Sequence, residues 1–499
     1  MHIGTAPRAL ALVCAAAAAC LVVPTARPAL KVGVAEDAAK GYADGGAALY
    51  SQLAGAGMSV LRVTVYWDPS QPATIQERAA LDRALPVAEA SGITVILSIV
   101  PRRATDVSST ADGPAKFAAY CAQVARTYPS VKHFLVGNEP NQPRFWQPQF
   151  DGSGARVAAV RYFQVLSRSY DALKAVDSSI AVIGLGLSPR GNNRPNARVN
   201  PSTAPVMFIR DLGEAYKGSA RALPIMDYAA FHPYPNPNAA ADAPEKGFQW
   251  PNAGVPNIDR LQQAFWDAFH GTGQPVFGEG TGGDALRWIF DESGWQTHTT
   301  HLAGYYGNEN TQTVGEDVQA QYYSRVIARY ACDGRVAMHL FFHWADEGDR
   351  DRMQTGLARA DGTNKSAVST VRRSVDAGCN GAPTSWTHAT TVTGAAVTWQ
   401  PTRAGVFSMK AGEDFSYSAS ILRLGGARTV ARAKDGVAVR TLRGIGKAYW
   451  TVPIRFAGPS LPPGRYAYTV TMRSAMNPER VSAYVGRTFL RLAPAQRKR

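Results

Sequence analysis

The feature that most constrains this chain is an alternation. Short apolar runs of strand length recur from residue 30 onward, each followed by a longer amphipathic segment. Repeated β-α units of this kind build a parallel sheet, because two parallel strands need a helix-length crossover to bring the chain back. Eight strand candidates can be counted: "LKVGVA" from Leu30, "SVLRVTVYW" from Ser59, "ITVILSIV" from Ile93, "VKHFLVGN" from Val131, "IAVIGLGL" from Ile180, "MDYAAFHPY" from Met226, "PVFGEG" from Pro275 and "RVAMHLFFHW" from Arg335. Eight units in about 350 residues predict a (β/α)8 barrel spanning residues 30–380. The intervening segments, such as Glu77 to Gly92 and Arg161 to Val176, repeat apolar residues at helical spacing.

The alternation stops near Cys379. Turn-separated strands follow over 385–495, among them "LPPGRYAYTVTM", in which Tyr466, Tyr468, Val470 and Met472 share one face. This predicts a small immunoglobulin-like or fibronectin-like β-sandwich behind the barrel. Such a domain either binds glycans or packs against its neighbour; packing is the simpler expectation. Two domains suit a chain of 499 residues.

Residues 1–29 carry Arg8, an apolar run from Ala9 through Val23 and the small-residue segment "PTARPA". That is the pattern of a cleaved secretory leader and predicts a secreted protein, with no membrane association after cleavage. An uncleaved anchor is the alternative. Cys20 is a weak lipoprotein signal. Outside the leader remain Cys121, Cys332 and Cys379. Cys332 ends the helix before strand eight and Cys379 ends the last helix; neighbouring barrel helices would bring those ends together, so a Cys332–Cys379 disulfide is expected, with Cys121 a small buried thiol. The formal charge of +15 suits an anionic or cell-wall polysaccharide better than nucleic acid, for which the arginines are too scattered, although a solvated arginine-rich surface with no specific partner is the simpler explanation. The protein is taken to be a monomer.

A barrel of this type works at the C-terminal ends of its strands. There stand Asn138 and Glu139 on strand four, Glu279 on predicted strand seven, His232 and Tyr234 on strand six, Arg62 along strand two, and Trp344 on strand eight. Two glutamates facing each other across a barrel mouth suit glycoside hydrolysis, in which one protonates the departing oxygen while the other attacks or activates water.

The residues "GNEPN", "HPY", "FGEGTGG", "VQAQYYSRVIARY" and "TGLARADGTNKSAVSTVRR" together resemble a clan GH-A glycoside hydrolase in the range of families 5 and 39, over residues 30 to 378. That resemblance implies a retaining mechanism without cofactor, with Glu139 as acid/base, Asn138 beside it for the sugar 2-hydroxyl, and Glu279 as nucleophile. Tyr234 would hydrogen-bond the nucleophile and Arg62 would hold it ionised, while His232 belongs to the same motif. Glu139 must start protonated, which the negative charge of Glu279 would favour. Trp344 is either a sugar-stacking platform or a core residue. The long loop from Gly280 to about Val314, rich in aromatic residues, is expected to wall the cleft. His298 and His301 lack partners for a metal set, so no metal is expected. Glu36 and Asp37 lie at the same face without a match in the family; they suit substrate hydroxyls or a helix start equally. A transglycosylase would share every one of these residues, and a catalytically silent carbohydrate-binding barrel would share the cleft.

Overall fold

A computed structural model describes residues 29–278, 285–400, 406–424, 436–455, 464–486 and 489–491. The leader expected over 1–29 lies almost wholly outside them. Eight parallel strands close into a barrel in chain order: β1 (Lys31–Ala35), β2 (Val60–Trp67), β3 (Thr94–Pro101), β4 (His133–Val136), β5 (Ala181–Leu187), β6 (Tyr228–Phe231), β7 (Arg287–Phe290) and β8 (Val336–Phe342). β8 pairs back to β1 through Lys31 opposite Met338 and on to Ala35 opposite Phe342, so the sheet has no free edge. Val60, Ile96, Leu135, Ile183, Ala230, Ile289 and Leu340, one from each of seven strands, fill the interior. The barrel is therefore a packed core, with room for a site only at its mouth.

Around it run α1 (Ala47–Gly55), α2 (Arg78–Ala90), α3 (Gly113–Thr127), α4 (Ala158–Val176), α5 (Pro205–Gly218), α6 (Ile258–Phe269), α7 (Glu316–Ala331) and α8 (Ser366–Ala377). Their periodicity explains their placement: α6, for example, buries Ile258, Leu261, Phe265, Ala268 and Phe269, a stripe at spacings of three and four residues. Cys332 caps α7 and Cys379 follows α8; the two are joined, with Cα atoms 4.7 Å apart. Cys121 is buried, its thiol pushed up to about 12 by desolvation. Among the described residues no helix is long and apolar enough to cross a membrane.

One strand is not where the sequence predicts it. In the run "PVFG" of 275–278, Val276 and Phe277 are buried, but the run is not part of the sheet. Phe277 stacks on Trp288 of β7 at 4.5 Å and meets Phe265 of α6 edge-on at 5.3 Å, so it packs between the sheet and a helix. The true β7 is "RWIF", which carries Asp291 and Glu292 at its C-terminal end. Apolar periodicity reports burial, and both segments are buried; only the sheet's closure decides which one pairs with β6 and β8.

Beyond the barrel, β9 (Ala396–Gln400), β10 (Val406–Lys410) and β13 (Val452–Arg455) form one antiparallel sheet; β11 (Phe415–Leu424), β12 (Val437–Gly446), β14 (Gly464–Ser474), β15 (Val481–Val485) and β16 (Phe489–Arg491) form another. Phe407 and Met409 of the first meet Phe415, Ile421, Tyr466, Tyr468, Val470 and Met472 of the second in one core, a β-sandwich. It packs on the barrel through a buried ionic contact: the Arg480 guanidinium donates to Asp267 of α6 at 2.9 Å and to Glu413 of the sandwich at 2.6 Å.

Candidate active site

The mouth of the barrel opens into a cavity of about 990 Å³, lined by Glu36, Asp37, Arg62, Asn138, Glu139, Tyr234, Glu292, Phe342 and His343 among others. At the end of β4, Gly137 and Glu139 both have positive φ, 85° and 37°. For a non-glycine residue the second angle costs about 1–3 kcal/mol and persists only where the surroundings impose it. They do: Glu139 N donates to Gly186 O at 2.9 Å, and its carbonyl accepts from Gln142 N at 2.8 Å. Asn141, fully buried, donates from Nδ2 to the carbonyls of Ser188 and Thr203 and accepts from Ser188 N. Pro140 needs no partner for an N–H and closes the turn. The "NEPN" motif is thus a clamp between the β4 and β5 loops that holds the Glu139 carboxyl out into the cavity.

His232, wholly buried at the end of β6, is the hub. Its Nδ1 lies 3.0 Å from Glu139 Oε1 and 3.6 Å from Glu292 Oε2, and its Nε2 lies 3.2 Å from Asp291 Oδ2. The nearer oxygens of Glu139 and Glu292 are therefore separated by no more than the sum of the first two distances, about 6.6 Å, a limit reached only if all three atoms were in line. Burial pushes the imidazole down, but the carboxylates of Glu292 and Asp291, with the hydrogen bonds to Asp291 and Glu139, outweigh it and raise His232 well above its ordinary value. Both ring nitrogens face carboxylate oxygens, the surroundings in which an imidazolium can donate from each.

Arg62 reaches across from β2. Nη1 donates to Glu292 Oε1, Nη2 donates to Asn138 Oδ1 at 2.7 Å, and Nε lies 3.3 Å from Asp291 Oδ2. Burial alone would lower it; the Glu292 and Asp291 carboxylates raise it further from neutrality. Because Arg62 occupies the Asn138 carbonyl oxygen, the Asn138 amide nitrogen has no acceptor among the described residues and can donate to a ligand. Tyr234 OH donates to Glu292 Oε2 at 3.1 Å, and burial, then the Glu292 charge, raises that phenol so that it stays a donor. Asp291 is held well ionised: burial would raise it, but His232 and Arg62 outweigh that and lower it.

Of the residues picked out by sequence, Asn138, Glu139, Arg62, His232 and Tyr234 come together here. Glu279 lies outside the described residues. The contacts expected of Glu279, with Arg62 and Tyr234, are made by Glu292. The signal that could have found it was present: "WIFDES" is also an apolar run ending in carboxylates. Trp344 is buried and does not line the cavity; its backbone N–H donates to Glu36 Oε2 at 2.9 Å. Glu36 also accepts from Ala38 N, which gives it the helix-start role. Asp37 accepts from Thr64 N at 2.6 Å.

The loop after β7 contributes Glu292 to the cavity, while its aromatic residues tie it to the loops after β6 and β8. Trp295 is buried with Nε1 donating to Asp242 O, and Tyr305 OH donates to Asp346. His298 pairs with Glu309, and no cluster of metal ligands occurs among the described residues.

A closed barrel with two carboxyls at the ends of β4 and β7 defines a class of site, one that handles a bond between two acid groups. No protein-family model matches the sequence, and no curated protein matches it. Solved structures similar to the chain include a family 39 glycoside hydrolase from Bacteroides cellulosilyticus WH2 (TM-score 0.49, 16% identity, 84% of this chain and 79% of that one). A GH39 β-xylosidase from Caulobacter crescentus (0.46, 14%, 79% and 82%) and a glucosidase from Croceicoccus marinus (0.46, 12%, 86% and 93%) are others. At such scores the likeness bears on neither substrate nor mechanism, which rest on the site's own geometry.

Proposed function

We propose that the protein is a glycoside hydrolase that retains anomeric configuration, with Glu139 as acid/base and Glu292 as nucleophile. The observation that carries this is the pair of contacts on one nitrogen, His232 Nδ1, which keeps an oxygen of each carboxyl within about 6.6 Å of the other. Retaining enzymes need about 5–5.5 Å between them, whereas inverting ones need about 6.5–9.5 Å to admit water. The upper limit here touches only the bottom of the second range.

Each group suits its role. Arg62 and Tyr234 each donate to one oxygen of Glu292, which holds its carboxylate in place at the cavity wall. Glu139 gives its proton to the glycosidic oxygen as that bond to the anomeric carbon breaks, and Glu292 bonds to the same carbon. Glu139, now a carboxylate, then takes a proton from water, whose oxygen displaces Glu292. The Asn138 amide nitrogen donates to a substrate hydroxyl beside the reacting centre. The substrate is a poly- or oligosaccharide, and export by the N-terminal leader gives access to it.

The test is labelling with a 2-deoxy-2-fluoro glycoside carrying a good leaving group, followed by peptide mapping. The label is expected on Glu292, and Glu292→Gln should abolish turnover of aryl glycosides while Glu279→Gln leaves it intact. A label on Glu279, or an active Glu292→Gln variant, would sink the assignment.

A further inference from the structure

We infer that Asp291, which takes no part in bond making, decides which carboxyl of the site holds the proton, by serving as the permanent counter-charge to Arg62 and His232. The inference rests on the proposed roles of Glu139 and Glu292.

Five ionisable groups are packed together with side-chain exposures between 0 and 14%: Arg62, His232, Asp291, Glu292 and Glu139. Two are cations and three are carboxyls. A buried cluster avoids net charge, because desolvation penalises each unbalanced ion, so two carboxyls are ionised and one keeps its proton. Contacts decide which. Asp291 Oδ2 faces both cations, Arg62 Nε at 3.3 Å and His232 Nε2 at 3.2 Å. Glu292 has the guanidinium on one oxygen and the Tyr234 hydroxyl on the other. Among the described residues Glu139 meets neither the guanidinium nor Tyr234 but His232, and it is the most open of the three. The proton therefore belongs on Glu139, where the reaction needs it.

The same count explains the second half of the cycle. When Glu292 becomes an ester its charge disappears, leaving two cations against Asp291 alone, so an ionised Glu139 restores neutrality and is ready as base. Asp291 is suited to a fixed role. It is 1% exposed, its Oδ1 has no hydrogen-bond partner among the described residues, and the β5 backbone passes over it at Gly186, whose φ of 58° is one that other residues rarely adopt. The other polar groups around the cluster do not change the count. Tyr234 and the buried Tyr162 of α4 are phenols raised by burial, Asn138 and Ser98 are neutral, and Asp37 acts on Arg62 from β1 at longer range while bonded to Thr64 N and Lys40.

Asp291→Asn keeps the shape and removes the charge. Glu139 then becomes the second anion at rest, and the alkaline limb of kcat/KM for substrates with poor leaving groups should move down by about one pH unit or more. Aryl glycosides with good leaving groups, which need no acid, should show the smaller loss. Asp291→Glu should restore the limb. A uniform fall at every pH and for every leaving group would mean that Asp291 is only structural and would overturn the inference, as would an unmoved limb. Infrared difference spectra supply a reading that needs neither turnover nor an Asp291 variant: the resting protein at neutral pH should show a protonated-carboxyl band that disappears in Glu139→Gln. Its absence from the unaltered protein would refute the charge count. An active Glu292→Gln variant would instead refute the proposed function, so the two failures are distinguishable.

Discussion

Replacing Lys365 by methionine should unbalance the two loops that frame the cavity. Lys365 Nζ is completely buried and spends all its donors, on Asp346 Oδ1 at 2.8 Å, Thr297 Oγ1 at 2.8 Å and Gln354 O at 3.4 Å. Thr297 lies in the loop after β7 and Asp346 in the loop after β8, which brings His343, Glu347 and Met353 to the cavity wall. Methionine fills the space of the lysine stem but leaves the Asp346 carboxylate buried with two neutral donors, Tyr305 OH and Gly356 N, and no counter-ion. Breaking a buried pair from one side costs about 3–5 kcal/mol, and a fall in Tm of roughly 5–10 °C would accompany it. The sign for the pair itself is opposite. Burial holds Lys365 below its ordinary value and Asp346 above its own, so each charge is less favourable folded than unfolded. Lys365→Met combined with Asp346→Asn, whose Oδ1 can accept from Gly356 N while its Nδ2 donates to the Tyr305 oxygen, should therefore recover most of the loss. Urea unfolding of the single and double variants, with KM on an aryl glycoside alongside, measures both effects. A single variant that loses less than about 1 kcal/mol, or a double variant no better than the single, would refute the reasoning.

Two further outcomes follow from the site and the fold. Glu139→Ala should slow substrates with poor leaving groups by about 10²–10⁴-fold and activated aryl glycosides far less, with azide restoring turnover; equal losses on both would argue against its acid role. Cys332→Ser with Cys379→Ser should cost up to about 4 kcal/mol of stability, since the bridge closes a loop of 47 residues, and unfolding midpoints under non-reducing conditions would show it.

The parts of the site that could be read from sequence share a property: each combines an apolar run with polar residues that have no reason to follow it unless they face a barrel mouth. "FLVGNEPN" and "AAFHPY" are of this kind, and Asn138, Glu139, His232 and Tyr234 lie where that logic puts them. The logic misplaced strand seven, because "PVFGEG" and "RWIFDES" both satisfy it and differ only in whether the buried run pairs with neighbouring strands or packs beneath them. Glycines around Glu279 made it look like a loop carboxylate at a strand end, whereas Arg287 at the start of the true strand weakened its apolar signal. Trp344 shows the same ambiguity: an aromatic residue at a strand end can face the cavity or the core, and one-dimensional spacing does not distinguish them.

The order of apolar and amphipathic segments by itself determined the eightfold barrel, the sandwich behind it and the polar "NEPN" turn at the barrel mouth, since burial period and turn chemistry are local properties of the chain. Which carboxylate opposes Glu139 was decided only by closure of the sheet. Barrel closure sets strand register, and register alone brings Arg62 from β2, His232 from β6 and the Asp291–Glu292 pair from β7 within hydrogen-bonding reach of one another. Residues as far apart as 230 positions in sequence become neighbours there, and the charge balance that assigns the proton exists only once they meet.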